Sequence, residues 1–296
     1  MRKSYIVSAK RTAIGSFLGG LATVKPKDMG SAVVKALLED ANVAPENVDE
    51  VICGNVLGAG LGQNIGRTIA LEAGIPETVC AHSVNMVCGS GLRTVMEAVM
   101  SIQCGFNDIV VAGGVESMSG APYLIPANTR TGNKMGNFTV VDHMIYDALT
   151  DARANIHMGV TAENIAKKYN ITREEQDAFG YASQQKAIAA VDSGRFKDEI
   201  VPMEVKQKKQ TVVFDTDEGP RPNVTAESIS KLRPAFKEGG VVTAGNSSGI
   251  NDAAAALIVM SEEKAKELGV KPMATWVAGA LAGVAPEIMG IGPVAA

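Results

Sequence analysis

The sequence is short of several features that would set its class at once. Its four cysteines, Cys53, Cys80, Cys88 and Cys104, have no metal-type spacing and are too few for a disulfide framework. That excludes a small disulfide-stapled domain and points to a reducing compartment. Positive charge is not in surplus. Its 28 Lys and Arg against 32 Asp and Glu leave a net of −4, which gives no general affinity for nucleic acid or an anionic membrane. No apolar run nears the ~20 residues needed to cross a bilayer, and Met1-Arg2-Lys3-Ser4-Tyr5 leads straight into a strand pattern. No nucleic acid, no membrane and a cytoplasmic location are the expectations. The run Gly58-Ala59-Gly60-Leu61-Gly62 lacks the Lys-Ser/Thr of a phosphate-binding loop and the spacing of a dinucleotide fingerprint. It reads as a loop whose backbone must approach something closely.

What is present describes a globular protein. Hydrophobic residues make up 46% and charged residues 20%, and 296 residues suffice for about two domains. A strand is expected over 4–9, a helix capped by Asp28 and running to Val43, a strand over 48–57 and a helix over 64–73. A strand is expected over 108–112, apolar from Ile109 on as in a sheet covered on both faces, and the alternation of strand and helix implies a layered α/β fold. Irregular chain rich in Gly, Asn, Pro and Met runs from Gly114 to about Asp142. Helices follow over 160–169 and 172–192, the second opening with Thr172 and Glu175 as a capping box. Residues 204–215, with Lys206, Lys208 and Lys209, read as a hairpin. Strands are expected over 253–260 and from Met273, with a short helix over 261–268 between them.

Cys88 stands where one period gives way to another. Residues 80–87 read as the end of a strand, and Gly89-Ser90-Gly91 as a turn that no β-branched residue could replace. From there Leu92, Val95, Met96, Val99 and Ile102 share a helix face that Gly105 closes. A sulfur on a strand-to-helix turn faces the positive end of a helix dipole, where free backbone N–H groups favour an anion. The local pattern fits a nucleophile, and it fits a buried inert cysteine equally well.

Three motifs carry a resemblance. Asn85-Met86-Val87-Cys88-Gly89-Ser90-Gly91 resembles the nucleophile segment of the thiolases. His157-Met158-Gly159 with Thr161-Ala162-Glu163-Asn164 resembles a second family segment, and Thr243 to Asp252 a third. Arg11-Thr12-Ala13-Ile14-Gly15 fits the family's N-terminus, and the motif order is the family's. The resemblance implies a layered α/β/α/β/α thiolase fold with an inserted loop domain. Residues 1–119 with 250–271 would be the first α/β half, 120–249 a CoA-binding loop domain, and 272–296 the start of a truncated second half. It implies Cys88 as the acyl-accepting nucleophile, with its own backbone N–H as an oxyanion donor. His157 would lie beside the substrate thioester, and Met158 would limit the acyl pocket to an acetyl or acetoacetyl group. Ser248 would contact pantetheine, Leu149, Phe236 and Ala244 would line the CoA channel, and Arg221 and Ser228 would lie near the nucleotide. Apart from the family, each has a plain reading: His157 as a structural histidine, Met158, Leu149, Phe236 and Ala244 as core, Ser248 as a turn residue.

The implied activity is acetyl-CoA C-acetyltransfer: two acetyl-CoA give acetoacetyl-CoA and CoA, and the reverse. It would use no metal and no cofactor beyond the CoA thioesters, in a homodimer or homotetramer. Alternatives are a degradative thiolase of longer 3-ketoacyl-CoA, or a truncated CoA-binding protein without turnover. A cysteine hydrolase fits less well, because no His–carboxylate partner for Cys88 is evident. His82 and His143 fall on no motif. The family's Asn-Glu-Ala-Phe, Gly-His-Pro and Cys-x-Gly-Gly-Gly segments do not occur in these 296 residues. On that reading roughly the last quarter of a thiolase is missing and the chain is a fragment.

Overall fold

The computed structural model describes residues 2–207 and 210–296, so Lys208 and Lys209 of the expected hairpin lie outside the described residues. The chain divides into two compact units. The first comprises residues 1–120, 194–219 and 250–278, and the second residues 121–193, 220–249 and 279–296.

The first unit is built on a mixed sheet. Its strands and helices in chain order are β1 (Ser4–Thr12), α1 (Pro26–Ala41), β2 (Glu50–Gly54), α2 (Ile65–Glu72), β3 (Cys80–Val84), α3 (Ser90–Gln103) and β4 (Ile109–Ser117). A hairpin, β5 (Met203–Gln207) with β6 (Gln210–Phe214), then precedes β7 (Asn251–Ser261), α4 (Glu262–Leu268) and β8 (Ala274–Thr275). The sheet order is β8-β1-β7-β4-β2-β3. Strands β4, β2 and β3 run parallel, joined by helical crossovers, whereas β7 runs antiparallel to both β4 and β1.

Both faces of this sheet are covered, which is why its central strands are apolar without alternation. On one face Val33, Leu37 and Ile69 of α1 and α2 pack with Val51, Val111, Ile258 and Met260. On the other, Val95, Val99 and Ile102 of α3 pack with Ile52, Val110, Ala112 and Val259. Met203 and Val205 of the hairpin lie in the first of these cores. The sheet is drawn close at Gly113, where a Cβ would lie 2.3 Å from the Ala255 carbonyl oxygen.

Several expected boundaries move. Helix α1 begins at Pro26, with Lys25 as its uncapped N-terminal neighbour; Asp28 sits inside the first turn, where its charge favours the dipole but its side chain caps nothing. The 48–57 strand shortens to five residues. Beyond Gly54, Glu116 accepts the Val56 and Leu57 N–H groups, at 2.8 and 3.0 Å, and draws the chain out of the ladder. In the glycine run, Gly60 and Gly62 have φ of +79° and +89° with open space around them, so left-handed backbone rather than close approach explains them. Only Ala274 and Thr275 of the last expected strand pair, with Ile6 and Tyr5.

The second unit has two long helices, α5 (Met158–Tyr169) and α6 (Arg173–Asp192), linked by a sharp turn. Asn170 at φ +54° ends α5, and the Thr172–Glu175 capping box opens α6 as expected. Around them the chain is irregular: a two-residue ladder at 123–124 and 141–142, a wide helical turn at Met144–Ala148, and a short helix at Ala226–Ser230. Twenty-residue α6 buries only Asp177. Its carboxylate takes Arg173 Nε at 2.7 Å and Asn246 Nδ2 at 2.9 Å.

Candidate active site

In the first unit Cys88 occupies the turn between β3 and α3, and its thiol is exposed. Helix α3 starts without a side-chain cap, so its first-turn N–H groups are not consumed by a neighbouring hydroxyl or carboxylate. The helix is fixed by small polar contacts at this end. A Cβ on Gly54 would lie 2.9 Å from the Ser90 Cβ, so Ser90 packs where only glycine leaves room. Thr94, fully buried, donates its hydroxyl to the carbonyls of Gly91 (2.7 Å) and Gly113 (3.1 Å).

Two expectations about this turn are corrected. The residue in left-handed conformation is Val87, φ +48°, and not one of the glycines; Gly89 is ordinary at φ −83°. A β-branched residue thus occupies the most constrained position of the turn. Leu92 is 77% exposed, because Ser90 and Thr94 fill the buried side of the first helical turn in its place. The other cysteines differ in kind. Cys80 and Cys104 are exposed. Burial, with the Glu116 carboxylate as a second cause, pushes the Cys53 thiol up to about 12, which removes it as a nucleophile at neutral pH.

In the second unit four of the expected residues converge. His157 is the N-cap of α5: its Nδ1 accepts the Gly159 N–H at 3.0 Å. A neutral ring bonded in this way carries its proton on Nε2, leaving a donor there. The imidazole stacks on the Phe236 ring, centroids 4.9 Å apart and planes 19° apart. Gly159 permits the stack, since a Cβ there would lie 2.2 Å from that ring. The Met158 N–H donates to the Leu149 carbonyl at 2.8 Å, bringing the third and fourth residues to the same place.

The remaining candidates are less engaged. Ser248 and Ala244 are exposed on the loop after Val242. The Arg221 side chain is exposed, with its backbone N–H on Gln184 Oε1 at 2.9 Å. The Ser228 hydroxyl closes the cap of the short helix, accepting the Thr225 N–H at 3.0 Å and donating to the Thr225 carbonyl at 2.8 Å.

Two supporting residues escaped sequence reasoning. Buried Glu163 receives the N–H groups of Val241 and Val242 at 3.0 and 2.8 Å, tying the His157 segment to the segment that carries Ala244 and Ser248. Asn246 anchors the same loop through Asp177, the Val241 carbonyl and the Thr243 N–H. Both stand inside the quoted motifs; a buried acid and a buried amide there were the available signs. His143 proves buried, with Nδ1 against Asp147. Among the described residues no cluster of three metal-type side chains occurs, and no helix is long and apolar enough to cross a membrane.

The family model for the thiolase N-terminal domain matches residues 4–263, and the fold has room for a nucleophile at the strand-to-helix turn of Cys88: the chain belongs to the thiolase family. It is 56% identical over 292 residues to the acetyl-CoA acetyltransferase of Thiocystis violacea, covering 98% of this chain and 74% of that one. The acetyl-CoA acetyltransferase of Escherichia coli K12 is 52% identical over 296 residues, covering 100% and 75%. The crystal structure of the Bacillus anthracis acetyl-CoA acetyltransferase superposes with a TM-score of 0.95 at 43% identity, covering 99% of this chain and 74% of that one.

Proposed function

We propose that the protein is an acyltransferase of the acetyl-CoA acetyltransferase type, working through an acetyl-Cys88 intermediate. The observation that carries this reading is the exposed Cys88 sulfur at the uncapped start of α3. In the first half-reaction Sγ attacks the thioester carbonyl carbon of acetyl-CoA. A C–S bond forms, the bond to CoA breaks, and CoA leaves with the proton given up by the thiol. Charge on the carbonyl oxygen in between is met by the Cys88 N–H. In the second half-reaction the carbanion of another acetyl-CoA, formed by loss of an α-proton, attacks the acyl carbonyl. Acetoacetyl-CoA leaves, and the Cys88 sulfur recovers a proton. The family's proton-moving His and Cys belong to segments that these 296 residues do not contain. Cys88 carries the acylation, and the residues of the second unit handle the thioester.

His157 offers its Nε2 proton toward the thioester, held in place by the Gly159 cap and the Phe236 stack. Met158 bounds the acyl end and sets a short-chain preference, while Leu149, Phe236 and Ala244 line the CoA channel and Ser248 contacts the pantetheine arm. Arg221 and Ser228 serve the nucleotide, where a basic group suits the CoA phosphates on a protein of net charge −4. No metal or redox cofactor enters this chemistry, and copies of the chain assemble as a homodimer or homotetramer. The test is the intact mass after brief exposure to acetoacetyl-CoA, with Cys88→Ala alongside. One acetyl group on the wild type and none on the variant is expected; no adduct on the wild type overturns the reading. Comparing adduct formation from longer 3-ketoacyl-CoA separates the short-chain assignment from a degradative one.

A further inference from the structure

The strain beside Cys88 needs a keeper, and one side chain is placed to be it. Val87 holds φ at +48°, a region that a β-branched residue enters only when its surroundings force it. Ser90 is 4% exposed, and its hydroxyl reaches both peptides of the strained pair. It donates to the Val87 carbonyl at 2.5 Å and accepts the Met86 N–H at 2.9 Å. Asn85 Oδ1 takes the Val87 N–H at 2.9 Å, closing the turn from the other side. Ser90 itself cannot drift, because it is pressed against Gly54 and heads a helix pinned to Gly113 through Thr94.

We propose that Ser90 is a positioning residue for Cys88: its hydroxyl clamps Met86 and Val87 so that Val87 stays left-handed and the next residue presents its sulfur at the head of α3. This rests on Cys88 being the nucleophile. Ser90 touches no reacting atom and acts only through the backbone of the turn. An ordinary capping serine would satisfy the same backbone groups, yet its loss would leave the reactivity of the neighbouring sulfur unchanged.

The experiment follows iodoacetamide alkylation of each cysteine by peptide mass spectrometry, from neutral to alkaline pH, in the 296-residue protein. In the wild type Cys88 should react faster than exposed Cys80 and Cys104, while Cys53 stays unlabelled and reports an intact core. Ser90→Ala should slow Cys88 at neutral pH roughly tenfold, the effect of one hydrogen bond that holds a reacting group. Its pH profile should move to alkaline values, with Cys80 and Cys104 unchanged. Adding Val87→Gly should restore most of the rate, because glycine adopts positive φ without restraint. An unaltered Cys88 rate in Ser90→Ala overturns the proposal, as does a slowed rate that Val87→Gly fails to restore. If Ser90→Ala exposes Cys53 to labelling, the double variant must protect it again; failure to do so is equally fatal. Alkylation reads the sulfur whatever substrate it takes. A fast Cys88 that is never acetylated would sink the proposed function and leave the clamp standing.

Discussion

The two units hold their functional residues by different physics. In the first, α1 buries Met29, Val33, Val34, Leu37 and Leu38 against the sheet, so that apolar burial fixes the frame on which Cys88 sits. In the second, α6 buries one carboxylate in twenty residues and α5 buries Thr161, Glu163 and Ala166. There the frame is made of acids that collect N–H groups: Glu163 with Val241 and Val242, Asp177 with Arg173 and Asn246. Apolar burial is non-directional and tolerates small shifts. A charged acceptor with several donors holds a loop in one place but fails sharply when a partner is removed.

The contrast can be broken from either side. The largest effect is expected from Ile258→Ala in β7, fully buried beneath α1, which should cost about 3–4 kcal/mol in urea unfolding of the first unit. Next is Glu163→Ala, which strands buried N–H groups and should cost about 2–3 kcal/mol. Hydrogen exchange should report that loss locally: the Val241 and Val242 amides exchange faster while those of β4 and β7 keep their protection. Equal loosening of both sets would mean that the acid supports the whole protein and that the contrast is false. The smallest effect concerns acid. The Lys10 ammonium, then the Ser8 hydroxyl, hold Asp40 below the usual carboxylate range, and the Ser261 hydroxyl, with Arg2, does the same for Asp108. Both groups sit lower folded than unfolded. Their stabilisation is present above the unfolded value of about 4 and is lost as pH falls through the folded values. Both side chains are more than a third exposed, at 41% and 44%, so the loss should be slight and should be reduced further by salt. Unfolding midpoints measured across that range at two ionic strengths would check it.

The same division decides what the sequence disclosed. The first unit was legible wherever burial imposes a period, in α1, α3 and the apolar strands, and wherever a helix end needs a particular residue: Gly105 at φ +79° and Gly269 at φ +67°. Leu92 misled because its spacing matches the buried face, although the first turn of α3 meets glycine backbone and not side chains. Val87 could not have been read at all. Nothing in a valine's identity announces left-handed backbone, and the cause lies three residues on, in the hydroxyl of Ser90. In the second unit the two long helices and the Thr172–Glu175 box showed in the pattern, but the candidate site was legible through resemblance alone, since an acid that anchors a loop and an acid in solvent look the same in a string of letters. The convergence of His157, Phe236, Met158 and Leu149 follows from one cap, one stack and one backbone bond, none of which has a period.

The place of β1 in the sheet bears on how the chain is made. Its ladder partners are β7 and β8, drawn from residues 251–275, with Ser4 facing Ser261 across the register, and at its far end Ile200 and Val201, which pair with Arg11 and Thr12. On a ribosome adding roughly 5–20 residues per second, the first strand emerges and then waits on the order of ten to fifty seconds for the neighbours that will cover its edges. For that interval it is an exposed template for any extended segment nearby, including another nascent copy of itself. Yield in cells should therefore depend on translation speed and chaperone supply more than the stability of the finished sheet would suggest.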